Sequence, residues 1–276
     1  MENLVYRVTG ANLGIKLSFG IDAWQAWIPT LAESSSAMRI WHTWPKLNGE
    51  AIGLAPSEPN VKFVDPMVRR RLNPFGRASL ATLHALCSRA DGAMPMVFAS
   101  RHGDLLRTID MLKTIAGSAP ISPTNFGLTV HNAVVGIAAI LFKNTQPALA
   151  ISAGLDTFWF GLVDAVARSQ ATNQSHLYIF ADLPTPDIYR QYADVDDLAR
   201  VFACVIQAKQ SEQIQVEGLA RITKTIKQPD YPTELAFLCS LAQADHLSED
   251  GQGYNSASST RYDWSWRISR ACDVGR

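Results

Sequence analysis

Apolar residues fall into two kinds of run along this chain: short blocks of strand length, and longer stretches at helical spacing. Leu4 to Thr9 predicts a first strand, with Leu13 to Phe19 its hairpin partner across Gly10-Ala-Asn. Ile21 to Ile28, carrying Trp24 and Trp27, predicts a helix that Pro29 ends. Ser34 to Asn60 is rich in Ser, Pro and Gly and predicts a surface excursion packed down by Trp41 and Trp44. Ala78 to Arg89 predicts a helix and Met94 to Ser100 a buried strand. From Gly103 to Ile115, apolar residues recur at Leu105, Leu106, Ile109, Leu112 and Ile115, a helical pattern. Gly117 to Pro123 predicts a loop. His176 to Phe180 predicts a strand; Leu198 to Ala208 suits a strand, with a helix as the alternative. Ile214 to Lys227 begins as a strand, and Tyr231 to Ala244 predicts a helix opened by Pro232-Thr233-Glu234. Glu249 to Thr260 predicts a polar loop and Tyr262 to Arg270 an edge strand. Strands alternating with helices, without an internal repeat, give a layered α/β fold.

The organising stretch is Ser122 to Gln170. Asn132 to Phe142 is apolar on most sides and predicts a buried helix. Pro147 to Ser152 has strand length, Ala153-Gly154 makes a sharp turn, and Phe158 to Ala167 is a second helix. Asp156 and Thr157 are the candidate caps of that helix. A strand turning sharply into a helix can hold a nucleophile beside the free N–H groups of the helix start. Here the turn carries no cysteine, and its one hydroxyl at the strand end is Ser152.

Composition narrows the class. The chain has 276 residues, 47% hydrophobic and 18% charged, which fits a well-buried globular protein forming one domain over residues 1–276. Lys+Arg 25 balances Asp+Glu 25, so no basic surface argues for nucleic acid. The four cysteines, Cys87, Cys204, Cys239 and Cys272, are widely spaced without metal-ligand patterning, which suits inert thiols in a reducing compartment. The beginning of the sequence has no charged-then-apolar layout, and no run reaches membrane-span length; the expectation is a cytosolic protein without a cofactor.

Several residues invite chemistry and most have plainer readings. Arg69-Arg70-Arg71 could bind phosphate, but a solvated helical turn accounts for it. Ala150-Ile-Ser-Ala-Gly154 is one residue short of a G-x-S-x-G elbow. Asp182 or Asp187 and then His246 would complete a hydrolase order, with His102-Gly103 as an oxyanion loop. Ala150 replaces the first glycine, so a backbone hydrogen bond from Ser152 is the better account. In Ser100-Arg-His-Gly-Asp104, Asp104 reads as a helix cap. His131 reads as a hydrogen-bonded structural histidine.

The order of the pieces carries more than any single motif. ASRHGDLLRTIDML, then ISPTNFGLTVHNAVVGIAAILF, then TQPALAISAGLDTFWFGLVDAVA resemble the N-terminal half of β-ketoacyl synthases. Gln146-Pro147 stands where that family carries Gly-Pro, and Gly136 where it has a helix glycine. Counting from Pro147 puts Leu155 at the position of the nucleophilic cysteine; a one-residue shift puts Gly154 there. Either removes the thiolate. The family's two active-site histidines have no counterpart motif here, since only His176 and His246 follow Gln170. Segments at Arg69 to Arg77, Val97 to Gly103, Ser122 to Ala133 and Ala153 to Phe158 resemble the chain-length factors of aryl polyene clusters.

That resemblance implies a thiolase-like fold, mainly its N-terminal ketosynthase half. It implies a non-catalytic subunit that pairs with a full-length ketosynthase and serves an acyl carrier protein. Pro147, Leu149 and Ile151 would lie on the strand at the dimer edge. Leu105, Thr108, Leu112, Asn125 and Phe126 would wall the acyl tunnel and set product length. Two other classes stay open: a Ser152-dependent hydrolase or acyltransferase, and a homodimeric acyl-binding protein.

Overall fold

The computed structural model describes residues 7–9, 12–30, 38–47, 50–51, 54, 58–87, 93–193, 197–207, 214–222, 232–246, 253–258 and 262–270. Its N-terminal part runs β1 (Arg7–Thr9), β2 (Asn12–Trp27), α1 (Met38–Thr43), β3 (Lys46–Leu47), β4 (Glu50–Ala51), α2 (Pro66–Arg69) and α3 (Pro74–Cys87). The middle runs β5 (Met96–Ala99), α4 (Leu105–Ala116), α5 (Pro123–Gly127), α6 (Ala133–Leu141), β6 (Ala148–Ile151) and α7 (Thr157–Thr172). The remainder is β7 (His176–Asp182), β8 (Arg200–Gln207), β9 (Ile214–Ile222), α8 (Thr233–His246), β10 (Gly253–Ser258) and β11 (Tyr262–Arg270). Cys272 and the first half of the strand expected over Leu4 to Thr9 lie outside the described residues; its second half is β1, paired with β2 as expected.

One mixed sheet organises the molecule. Its path is β10-β11-β9-β2-β8-β7-β5-β6, with β1 added to β2; β5, β6 and β7 are parallel and the other pairings antiparallel. Strands in its middle are buried on both faces, so alternate residues serve opposite cores. Tyr178, Phe180, Phe202 and Cys204 join α7 and α8 on one face. Leu177, Ile179, Val201 and Ala203 join α3 and α6 on the other. The outcome is a three-layered α/β fold.

Helix α7 approaches the sheet closely at Gly161. A Cβ built there would lie 2.6 Å from the Ala99 Cβ and 2.9 Å from Tyr178 Cε2. Only glycine lets α7 settle this deeply against β5 and β7. The Tyr178 hydroxyl then donates to the Phe158 carbonyl at 2.5 Å.

Four expectations are corrected. Ile21 to Ile28 is not a helix; it continues β2, whose register slips between Ile21 and Ala23. Before the slip Leu17, Phe19 and Ile21 face one core; after it Trp24, Ala26 and Ile28 face the same core. The three-residue step from Ile21 to Trp24 imitates helical spacing, and it is a β-bulge. The polar stretch expected as a loop contains strand β10, which pairs along β11. Hence β11, expected at the edge, is an interior strand between β10 and β9. Helix α6, expected to be buried, keeps only Val134, Val135 and Ala138 inside, against α3; Gly136 and Ile140 face solvent. Within the expected excursion of Ser34 to Asn60, helix α1 and the β3-β4 pair are regular, and Trp44 is buried.

Candidate functional site

The site is the end of the sheet where β5, β6 and β7 finish, the usual place for chemistry in parallel α/β layers. After β6 the chain bends at Gly154, whose φ of +61° is the left-handed conformation glycine tolerates. A short 3-10 turn, Gly154–Asp156, leads into α7. Thr157 locks this bend: its hydroxyl accepts from the Ala153 N–H at 2.9 Å and donates to the Gly154 carbonyl at 2.6 Å. Asp156 makes no side-chain cap bond to α7; its buried carboxylate accepts from the Trp264 indole at 3.3 Å instead. Leu155 is half-buried in the bend, so the elbow presents an alkyl side chain and no thiol.

Ser152 does not form a hydrolase triad among the described residues. Its exposed hydroxyl donates to the Arg101 carbonyl at 3.0 Å. Asp182 accepts instead from the Ser100 hydroxyl at 3.1 Å and the Arg101 N–H at 2.9 Å. Asp187 pairs with Arg190 on the surface, and the side chain of His246 lies outside the described residues.

The turn Ser100 to Gly103 is tied in on several sides. The Ser100 hydroxyl accepts from the Gly103 N–H at 2.8 Å, and Gly103 has φ of +61°. His131 Nε2 lies 2.6 Å from the Ser100 carbonyl, so that nitrogen carries the proton and donates. A Cβ on Gly103 would stand 3.0 Å from His131 Nδ1, which explains why glycine follows His102. Two motifs distant in sequence are thus one packed unit.

Its neighbours are built the same way. Asp104 caps α4 by accepting from the Arg107 N–H at 3.1 Å, pairs with the Arg107 guanidinium at 3.0 Å, and accepts from the Asn73 amide at 2.7 Å. Arg107 also donates to the Arg71 carbonyl at 2.8 Å, and Arg77 to the carbonyls of Leu72 and Arg69 at 3.0 and 3.2 Å. The arginine-rich segment is therefore knitted to α3 and α4 through its backbone, while Arg70 and Arg71 remain exposed. Ser122 caps α5 and Pro123 occupies its first turn.

The residues expected to wall a tunnel lie on α4 and α5. Leu105 and Thr108 are half-buried, and the Thr108 hydroxyl donates to the Asp104 carbonyl at 3.0 Å. Leu112 is 48% exposed, Phe126 is 56% exposed, and Asn125 is exposed. Leu106, Ile115, Ile121, Val130 and Ile140 are exposed as well. Strand β6 ends the sheet, its outer edge unpaired among the described residues; Pro147 is exposed, and Leu149 and Ile151 are half-buried. The elements from α4 to β6 therefore bear an unusual amount of bare apolar surface for a single chain.

Beneath the site lies a charged cluster the sequence reading missed. Arg200 pairs with Glu234 of α8, both largely buried. Burial pushes the Asp182 carboxyl up to about 6, against the opposing pull of Arg200. Burial also lowers Arg101 and the His102 imidazole. The signal was present as charged residues ending HLYIFAD and opening RVFACVI, where an apolar run would not otherwise hold them. Burial raises the thiols of Cys87, Cys204 and Cys239, Cys87 to about 11, so none is a ready nucleophile. Among the described residues, no cluster of metal-ligating side chains is present, and no helix is long and apolar enough to cross a membrane.

The sequence model of the β-ketoacyl synthase N-terminal domain matches residues 41–267. The chain belongs to that family. No curated protein matches it. Among solved structures of this thiolase-like fold, it resembles a chain of the ketosynthase ApeO in complex with its chain length factor ApeC, from Xenorhabdus doucetiae. That match has 24% identity and a TM-score of 0.70, and covers 91% of this chain and 99% of the other. A chain of the ishigamide ketosynthase/chain length factor matches at 17% identity and a TM-score of 0.53, covering 73% and 67%. A chain of AntDE:AntF, a type II polyketide acyl-carrier protein in complex with its ketosynthase, matches at 10% and 0.61, covering 91% and 99%. The bend from Ile151 to Thr157 carries no cysteine.

Proposed function

We propose that this chain is a non-catalytic chain-length factor, pairing with a full-length ketosynthase and shaping the tunnel that holds a growing acyl chain. The observation that carries this reading is the elbow itself. It keeps the bend, the glycine and the helix start of a ketosynthase, yet presents the Leu155 side chain. An alkyl group cannot accept an acyl chain. Two further features support it: the unpaired edge of β6 and the bare apolar residues from α4 to β6. In a pair, β6 would lie antiparallel to its counterpart, with Pro147, Leu149 and Ile151 along the junction.

The partner then supplies cysteine and histidines, and an acyl carrier protein delivers substrate to the pair. Leu105, Thr108, Leu112, Asn125 and Phe126 form this chain's share of the tunnel wall. The product class follows the sequence resemblance of the segments at Arg69 to Arg77 and Ser122 to Ala133: an aryl polyene or a related carrier-bound polyketide or fatty acyl chain. Co-expression with a full-length Cys-His-His ketosynthase tests the pairing. A one-to-one complex by size exclusion and native mass spectrometry is expected. A protein that stays free of the ketosynthase, or becomes acylated alone, overturns the reading.

A further inference from the structure

We infer that Asp182 is a positioning residue for the free edge of the sheet: it clasps the Ser100–Gly103 turn, and that turn holds the end of β6 and the start of α6. Each link is one or two hydrogen bonds. Asp182 accepts from the Ser100 hydroxyl and the Arg101 N–H. Beyond the clasp, the Ser100 N–H donates to the Ile151 carbonyl at 3.2 Å and Ser152 donates to the Arg101 carbonyl at 3.0 Å. His131, just before α6, donates to the Ser100 carbonyl. The edge strand is thus fastened at its far end to one carboxyl group that lies at the end of β7.

That carboxyl is wholly enclosed, and the charged groups around it are few. Ser100 and Arg101 face it from the turn, Arg200 from β8, and Glu234 from α8. Tyr178 lies on its own strand, and Asp197 sits before β8 beside Arg101 and Arg200. His102 is exposed on the turn beside Arg101. Opening the turn lets water reach Asp182. The Ser100 and Arg101 hydrogen bonds favour the carboxylate, but burial disfavours it more; opening relieves that burial, so it is easier when the carboxyl is ionised and harder when it is neutral. With its proton held up to about 6, the clasp tightens as the pH falls through that value and loosens above it. The consequence for partner pairing rests on the proposed role of β6; the clasp itself does not.

Amide exchange in the isolated protein tests it. The Ser100, Arg101 and Gly103 amides report the three bonds directly. After correction for intrinsic rates, their protection should rise roughly tenfold between pH 7.5 and pH 5.0, while amides of β8 hold steady. Asp182→Asn, a neutral isostere, should keep high protection at both pH values. Ser152→Ala, a surface change, should lower Ser100 protection without altering Arg101 and Gly103. A flat wild-type profile, or a Ser152→Ala variant with unchanged Ser100 protection, overturns the inference even where Asp182→Asn fails to fold.

Discussion

Asp156 and Trp264, 108 positions apart in sequence, are joined by a hydrogen bond of 3.3 Å in which the indole N–H donates to the carboxylate. The bond fixes the elbow from behind. Trp264 stacks on Trp159 with ring centres 4.8 Å apart and planes 10° from parallel, and the Trp159 indole donates to Thr233 at 2.7 Å. The start of α7 is thereby fastened to β11 and to α8. Asp156→Ala would leave a buried indole N–H without its acceptor, a loss of about 1–3 kcal/mol. Asp156→Asn keeps an oxygen acceptor and should lose less. Urea midpoints of the three proteins check this; an unchanged midpoint in Asp156→Ala would contradict the role given to the bond.

Gly161→Ala is expected to destabilise, although alanine favours helices. The new methyl would meet Ala99 and Tyr178 below contact distance. Neither neighbour has freedom to retreat, since both are fully buried in the sheet. Overpacking of this kind costs about 1–3 kcal/mol, against about 1 kcal/mol gained in helix propensity. A lowered melting temperature is expected, and a raised one would show that α7 can lift off the sheet cheaply.

How much of this was legible beforehand follows from what each residue touches. β7 declared itself because a short strand buried on both faces is apolar throughout; the longer run of β8 stayed open between strand and helix, because burial on both faces leaves no period to read. Asp104 declared its cap by position alone, and glycine declared the bend at Gly154. The segment from Ile21 to Trp27 did not, because a bulge shifts the alternation by one and leaves a three-residue step. β10 did not, because a polar strand such as Gly253–Ser258 is made a strand by its neighbour β11 rather than by its own residues. α6 misled in the other direction: Ile140 is apolar yet 81% exposed, and apolar residues alone do not say which of them the fold covers. At the elbow, the absence of a cysteine from Ile151 to Thr157 was readable from the letters alone. The Asp182, Arg200 and Glu234 cluster was not, since its members come from β7, β8 and α8 and meet only in the fold.

Asp182 also marks the pH dependence of global stability. Its carboxyl holds its proton up to about 6 in the fold, above the ordinary carboxylate value, because burial disfavours the charge. A raised folded-state value means the contribution is fully present below the unfolded value and lost as pH rises through about 6. Relative to wild type, Asp182→Asn should therefore gain stability between pH 4.5 and pH 7.5. Paired urea titrations at those two values read the difference directly. A constant offset between the two proteins would show that Asp182 is ionised throughout.

The tunnel assignment makes the most exposed prediction. Leu105 is half-buried on the first turn of α4, one helical turn from Thr108 and two from Leu112. If those side chains line the space for an acyl chain, enlarging the first should shorten the product, because each added ring atom occupies volume a methylene would take. Leu105→Trp should therefore shift the reconstituted pair toward products at least one extension unit shorter, with complex formation retained. Leu106→Trp is the control: Leu106 is 46% exposed on an adjoining face of the helix, and its enlargement should leave length alone. Mass spectrometry of the carrier-bound chains reads both. An unshifted distribution for Leu105→Trp in an intact complex would move the tunnel wall off α4. A shift caused equally by both variants would assign the effect to altered docking of the two subunits instead.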